Sequence, residues 1–220
     1  MKDGILNNSY IKKRNKKSTF YYRMKRRSFE VCEKIKANFK PRNLNVLDLG
    51  CADGKGSIFL KQFLKSFKIN YLGIEYNINL PDRKLNENFI CADINNLPIN
   101  NSKKFDIIIL TAVLEHIVNP EIFLNNITKY LCNDGLIIIT MPDPFFEKIA
   151  SSLKNIEETG FHNPIKYKEL KIILKNSNLF IDEYEKFMIS PWGFVVEKKI
   201  EPYLPDFIKL NQIFVLKKTI

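Results

Sequence analysis

Residues 45–56, "NVLDLGCADGKG", place a carboxylate, Asp48, inside an apolar run that ends in small residues. Val46, Leu47 and Leu49 suit a core strand, Gly50 to Gly54 a tight turn, and Ile58, Phe59, Phe63 and Leu64 the apolar side of a following helix. An acid at the end of a buried strand is costly unless it is hydrogen-bonded, which marks the stretch as a candidate site. A strand, glycine turn and helix in succession let a ligand lie against bare backbone, above the N–H groups that open the helix.

The 220 residues, 45% of them hydrophobic, suffice for one domain with a core of ordinary size. The N-terminus has no continuous apolar stretch of the signal-peptide kind, and no run approaches the roughly 18 apolar residues of a membrane span. A cytoplasmic location is therefore expected. Cys32, Cys51, Cys91 and Cys132 are too widely spaced for a metal or redox motif and read as reduced packing residues, so no metal is expected.

The net charge of +11 is unevenly placed: residues 1–43 hold 14 Lys and Arg against Asp3, Glu30 and Glu33, whereas the rest of the chain holds 21 of each sign. Up to about Lys17 the chain, with its "IKKRNKK", reads as a flexible basic arm. From Ser18, a candidate N-cap, Tyr21, Met24, Phe29, Cys32, Ile35 and Phe39 recur at helical spacing. Such a helix would cover the core with its apolar stripe and leave Lys25, Arg26, Arg27, Lys34 and Lys36 mostly free. Residues 1–43 are thus expected to form a basic arm and helix packing on a core domain of residues 44–220.

From Leu44 onward strand-like and helix-like segments alternate. "NYLGIEY" and "NFICAD" suit short strands, "FDIIILT" and "GLIIIT" fully buried ones, with helical segments after the first and fourth strands. A helical stretch over Phe145–Leu153, another around Tyr167–Lys175, and the strands "FIDEYEKF" and "NQIFVLKK" follow. This is the pattern of an α/β, doubly wound, mostly parallel sheet, whose ligands bind at the carboxyl edge. Three acids fall there: Asp48 in the first strand, Glu75 ending the second and Asp93 after the third. A carboxylate about 20 residues beyond a glycine turn suits ribose hydroxyls, and the third suits an adenine amino group. An adenosine-bearing ligand follows. The turn lacks the G-x-G-x-x-G of a dinucleotide site, since Ala52 and Lys55 stand at the later glycine positions, and no phosphate loop is present.

What the turn resembles is the first motif of class I S-adenosylmethionine-dependent methyltransferases, D-x-G-x-G-x-G, here Asp48, Gly50, Ala52 and Gly54. "GIEYN", "CADINNLP", "FDIIILTAVLEHI" and "DGLIIITMPDP" extend the resemblance in order, and the small-molecule and glycan branch of the family fits best. The resemblance implies seven strands, the last antiparallel, and S-adenosylmethionine as cofactor. It places Gly50 against the methionine part, Glu75 at the ribose and Asp93 at the adenine, with Ala52, Gly54 and Ile94 also in the cofactor site. Asp48 orients the loop and the cofactor amino group, and Thr111 lies at the cofactor edge of the fourth strand.

A hydroxyl acceptor also needs a base. The two histidines are His116 in "LEHI" and His162 in "GFHNPIKYKEL". The L-E-H triplet is widespread in the family, which favours a helix-start role for His116 and leaves Glu115 equally ambiguous. His162 resembles a histidine set over the acceptor pocket in many small-molecule members, and a loop anchor is the alternative. The place where amino methylases of nucleic acid bases carry N/D-P-P-Y reads "LTAVLEH", which disfavours that chemistry. Phe145, Phe146 and Phe161 are candidates for the wall of an apolar or sugar pocket, and the C-terminal segment resembles the endings of methyltransferases of surface-glycan and lipid pathways. The expected reaction is O-methylation of a small molecule, sugar or lipid-linked glycan, including phosphate-bearing acceptors. The alternatives are RNA or protein methylation docked by the basic arm, with peripheral contact to an anionic membrane as a further partner, and a module that binds the cofactor without catalysis.

Overall fold

The computed structural model describes residues 18–80, 88–153, 162–190 and 196–219. The basic arm of residues 1–17 and Phe161 lie outside the described residues. Among the described residues, α1 (Ser18–Asn38) leads into β1 (Asn43–Leu49), α2 (Lys55–Phe63), β2 (Lys68–Glu75), β3 (Phe89–Cys91) and β4 (Phe105–Thr111). Then follow α3 (Pro120–Thr128), β5 (Leu131–Pro142), α4 (Pro144–Leu153), α5 (Tyr167–Ile173), β6 (Leu179–Phe187), α6 (Glu197–Ile200) and β7 (Asn211–Lys218).

The strands form a seven-stranded sheet in the order β3-β2-β1-β4-β5-β7-β6. β3, β2, β1, β4 and β5 run parallel; β7 is antiparallel to both β5 and β6. The chain reverses its direction of travel across the sheet between β1 and β4, so the crevice for a ligand lies beyond the carboxyl ends of these two strands.

The near-continuous Ile and Leu of β4 and β5 follow from burial on both faces. On one face Leu47, Leu49, Ile108, Leu110 and Ile137 pack with Phe123, Leu124 and Leu170 from the crossover helices. On the other, Leu44, Val46, Ile107, Ile109 and Ile138 meet Val31, Cys32 and Ile35 of α1 and Leu60 of α2. Alternation along β1 places Asp48 on the face of Leu44 and Val46, under the turn that follows the strand. Cys32 and Cys51 are packing residues as expected; Cys91 is instead exposed and Cys132 half-buried, because β3 is a short edge strand and Cys132 sits near the start of β5.

The charged side of α1 departs from expectation. Arg26 and Lys34 are buried, not free. The Arg26 guanidinium is paired with Glu30 one turn along and with Glu201 just after α6. Lys34 binds Glu183 at 2.9 Å and also Glu185, both on β6, while Arg27 donates to Asn211 Oδ1 at 2.7 and 3.0 Å. Lys36 pairs with Glu33 at 3.0 Å and Lys25 is exposed. The helix is thus tied by charge to β6, β7 and the α6 segment. Burial acts to lower the pKa of Arg26, with Glu201 opposing it. Burial also opposes the charged forms of Lys34 and Glu183, yet hydrogen bonds prevail: those to Glu185 and Glu183 raise the Lys34 pKa, and those from Lys34 and Asn38 lower that of Glu183.

Two outcomes follow for stability. Arg26→Ala leaves buried carboxylates without their cation and should cost about 3–5 kcal/mol, whereas Lys25→Glu should stay within about 0.5 kcal/mol of the parent in urea unfolding. Because the Glu183 pKa lies below its ordinary 4.5 in the folded protein, its contribution is present above that pH and is lost as the pH falls through the folded value. Glu183→Gln should therefore flatten the acid limb of the stability curve; an acid limb as steep as that of the parent would remove the ion pair from the account.

Candidate active site

Leu49 ends β1, and Gly50 accepts the sharp exit with φ 73°. A Cβ on Gly50 would lie 2.7 Å from Val113 Cγ2, so the turn after β1 packs directly against the segment after β4. Ala52 and Gly54 also take positive φ, 51° and 77°, and α2 starts immediately after Gly54. The left-handed conformation is strained for Ala52 and natural for glycine. Its cost is offset by the anchoring of the turn: the Ala52 N–H donates to Glu75 Oε2 at 2.9 Å.

Glu75 is the last residue of β2 and is buried. Its second oxygen accepts the Asn77 N–H at 3.1 Å, so one carboxylate holds the turns after β1 and β2 together. Asp48 is also buried and accepts the Tyr71 hydroxyl at 2.6 Å. Burial first, then the nearby Asp48, pushes the Tyr71 pKa well up, which keeps the phenol a hydrogen-bond donor. The same surroundings push up the buried Cys51 thiol. Tyr71 was not singled out in the sequence, where it reads as one more strand aromatic; its position two residues before the glycine of "GIEY" is the only local sign.

Asp93 follows β3 and is half-buried; its Oδ1 accepts both the backbone N–H and the side-chain amide of Asn95 at 2.9 Å. Ile94 packs against the core, and Thr111 ends β4 beside Thr140 of β5. Asp48, Gly50, Ala52, Gly54, Glu75, Asp93, Ile94 and Thr111 therefore all stand at the carboxyl ends of the contiguous strands β3, β2, β1 and β4.

The two histidines meet although they lie in different segments. Their ring centroids are 4.8 Å apart. His116 does not start a helix: Leu114–His116 form a separate 3-10 turn, and α3 begins later, at Pro120. The early turn arises because Val113 and Leu114 carbonyls accept the N–H groups of His116 and Ile117 at 2.9 and 3.1 Å. The His162 segment is joined to this turn by the Asn163 N–H, which donates to the Glu115 carbonyl at 2.7 Å. His162 Nδ1 lies 3.9 Å from Glu147 Oε1 on α4. The Glu115 side chain is buried, and burial pushes its pKa up to about 7, with its own backbone N–H and Arg27 pulling the other way. Phe145 and Phe146 form an edge-to-face pair at 5.4 Å, with Phe145 largely exposed.

Residues 22–183 match the family model described as a methyltransferase domain. The chain belongs to the class I S-adenosylmethionine-dependent methyltransferases. Among curated relatives, the ubiquinone biosynthesis O-methyltransferase of Rickettsia bellii is 25% identical over 210 residues, covering 86% of this chain and 82% of that protein. The mitochondrial ubiquinone biosynthesis O-methyltransferase of Dictyostelium discoideum is 26% identical over 193 residues, 76% of this chain; the chain spans 60% of its length. A malonyl-[acyl-carrier protein] O-methyltransferase of Ilyobacter polytropus is 29% identical over 179 residues, covering 76% and 63%. Among solved structures, the plantazolicin methyltransferase BpumL, bound to SAH and a triazolic substrate analogue, superposes with TM-score 0.64 at 21% identity, covering 96% of this chain and 89% of that one. The [4+2]-cyclase SpnF shares the fold at TM-score 0.59 and 15% identity, covering 87% and 82%.

The family's methyl donor is S-adenosylmethionine, and the residues present fit it. The turn from Gly50 to Gly54 offers backbone without side-chain bulk above the start of α2, and the buried Glu75 carboxylate ends its strand at the position that suits ribose hydroxyls. Hydrogen bonds to a charged group are each worth about 1.5–3 kcal/mol. Glu75→Ala should accordingly weaken S-adenosylhomocysteine roughly tenfold to a hundredfold or more in calorimetric titration. An unchanged affinity in folded protein would remove Glu75 from the cofactor site.

Proposed function

We propose that the protein transfers the methyl group of S-adenosylmethionine to a hydroxyl of a small molecule, sugar or lipid-linked glycan, and that His162 takes the hydroxyl proton. The observation that carries this reading is the meeting of His116 and His162 beyond the carboxyl end of β4, on the side of the crevice away from Glu75 and Asp93. A base there is separated from the adenosine subsite while the glycine turn stays between them. The names of the ubiquinone and malonyl-carrier relatives, both O-methyltransferases, support an oxygen acceptor.

The donor, when bound, supplies a methyl group already activated by its sulfonium. What remains for the chain is to align the acceptor, an effect that contributes roughly 7–11 kcal/mol in well-oriented reactions, and to receive one proton. Asp48, Glu75, Asp93, Ile94 and Thr111 would hold the donor with the turn of Gly50, Ala52 and Gly54. His162 would face the acceptor with Glu147 beside its Nδ1, and a carboxylate in that place stabilises the imidazolium that forms.

Docking of RNA or protein by the basic N-terminus is the second reading; its arm of residues 1–17 lies outside the described residues, so the structure bears only on the helix that follows. On the helix, Arg26, Arg27 and Lys34 are engaged within the fold, which leaves that part of the N-terminus less charge for an anionic partner or membrane surface. Among the described residues, no helix is long and apolar enough to cross a membrane.

Transfer of tritium from labelled S-adenosylmethionine into fractionated extract should place the label in the small-molecule or lipid fraction; label in RNA or protein would favour the second reading, and no transfer would favour a non-catalytic module. With the acceptor in hand, His162→Ala should lower turnover about a hundredfold to ten-thousandfold and leave cofactor affinity unchanged. A parental turnover in that variant would return His162 to a loop-anchoring role.

A further inference from the structure

Glu115, His116 and His162 each offer a metal-binding atom, and these three atoms lie within 4.8 Å of one another. We infer that they form a binding site for a divalent first-row transition metal, a two-histidine, one-carboxylate set with open positions facing the acceptor side. Sequence spacing gave no sign of it, because two ligands are adjacent in one turn and the third arrives from the segment before α5.

The donor set matches the chemistry. Two imidazoles and one carboxylate are the ligands of open catalytic zinc sites and of facial iron sites, both of which keep positions for an oxygen ligand. Ligands bound at zinc distances sit roughly 3.4 Å apart, so closing the site from its present spacing takes side-chain rotations on the order of an ångström.

A second observation points to a cation. The Glu115 side chain is almost wholly buried, and its Oε2 has no hydrogen-bond partner, a costly arrangement for a carboxylate. The Arg27 guanidinium donates to Asn211 Oδ1 and does not satisfy Oε2. Glu147 stands 3.9 Å from His162 Nδ1, within a small movement of the outer partner that metal-bound histidines usually have when Nε2 takes the metal. The Asn163 N–H bond to the Glu115 carbonyl fixes the two segments in register, so the three donors are held by backbone and not by loop chance.

A metal here would accept an oxygen of the acceptor in an open position and raise the acidity of its hydroxyl, as metals do for bound water. With the metal bound, His162 would be a ligand in place of the base and the proton would leave to solvent; its role as base belongs to the metal-free protein. The inference concerns binding and does not rest on the identity of the acceptor or on methyl transfer; a metal titration can fail while the labelled-methyl assay succeeds, and the reverse.

The test is titration of the chelator-stripped full chain with Zn²⁺, followed by calorimetry and by the rise in Tm. One saturable equivalent is expected, weakened at least tenfold in both Glu115→Gln and His162→Gln. S-adenosylhomocysteine binding and circular dichroism on each variant show that it is folded, and His116→Gln serves as the replacement for any that is not. No saturable Zn²⁺ binding, or binding of parental strength in the folded variants, as a site at the exposed Cys91 would give, overturns the inference.

Discussion

One buried carboxylate holds the carboxyl edge of the sheet in shape. Glu75 accepts the Ala52 N–H with one oxygen and the Asn77 N–H with the other, so the turns after β1 and β2 are fixed against each other. Without it, a turn that carries three positive φ values in five residues, one of them on alanine, would lose the bond that compensates its strain. The rest of the edge builds on this. The Gly50 exit from β1 brings the turn against Val113, and Val113 opens the 3-10 turn that ends in His116. Asp48 below is held by Tyr71, a residue on the same strand as Glu75. The carboxylates at the edge thus have structural partners in addition to any ligand, which explains how the fold tolerates acids at the ends of buried strands.

The second constraint is the distribution of charge. The excess of cations in the first fifth of the chain looks like an external patch when counted by residue, yet the helix uses several of them internally. Arg26 lies between Glu30 and Glu201, Lys34 between Glu183 and Glu185, and Arg27 on Asn211. These contacts join the first helix to the last strands, elements at opposite ends of the sequence. A buried ion pair is weak evidence of stabilisation against an apolar substitute, but removing one partner is expensive. Among the described residues, these three cations act on the fold, fixing α1 over the β5, β7 and β6 side of the sheet.

The carboxyl edge of the sheet was largely legible in the sequence because it depends on local pattern. The apolar runs gave the strands, the small residues gave the turn, and Asp48, Glu75 and Asp93 could be placed at strand ends without any knowledge of pairing. What was not legible depends on contacts between distant segments. The partners of Arg26 and Lys34 lie on β6 and around α6, where Glu183, Glu185 and Glu201 look like ordinary surface acids. The meeting of His116 with His162 depends on a backbone hydrogen bond from Asn163, which carries no side-chain signature. The triplet at Leu114–His116 reads as a helix start because it is widespread in the family, although its hydrogen bonds close a separate 3-10 turn and α3 begins later, at Pro120.

The fold alone does not decide the chemistry, since a [4+2]-cyclase shares it with methyltransferases. The central claim is narrower: the donor is held by the turn after β1 together with Glu75. Hydrogen exchange of backbone amides, read with and without S-adenosylhomocysteine, tests it most directly. The account predicts slowed exchange at Gly50–Ser57 and at Glu75–Asn77, with β6 and β7 unaffected. Equal exchange at these amides in saturating ligand, or protection confined to other elements, would contradict it.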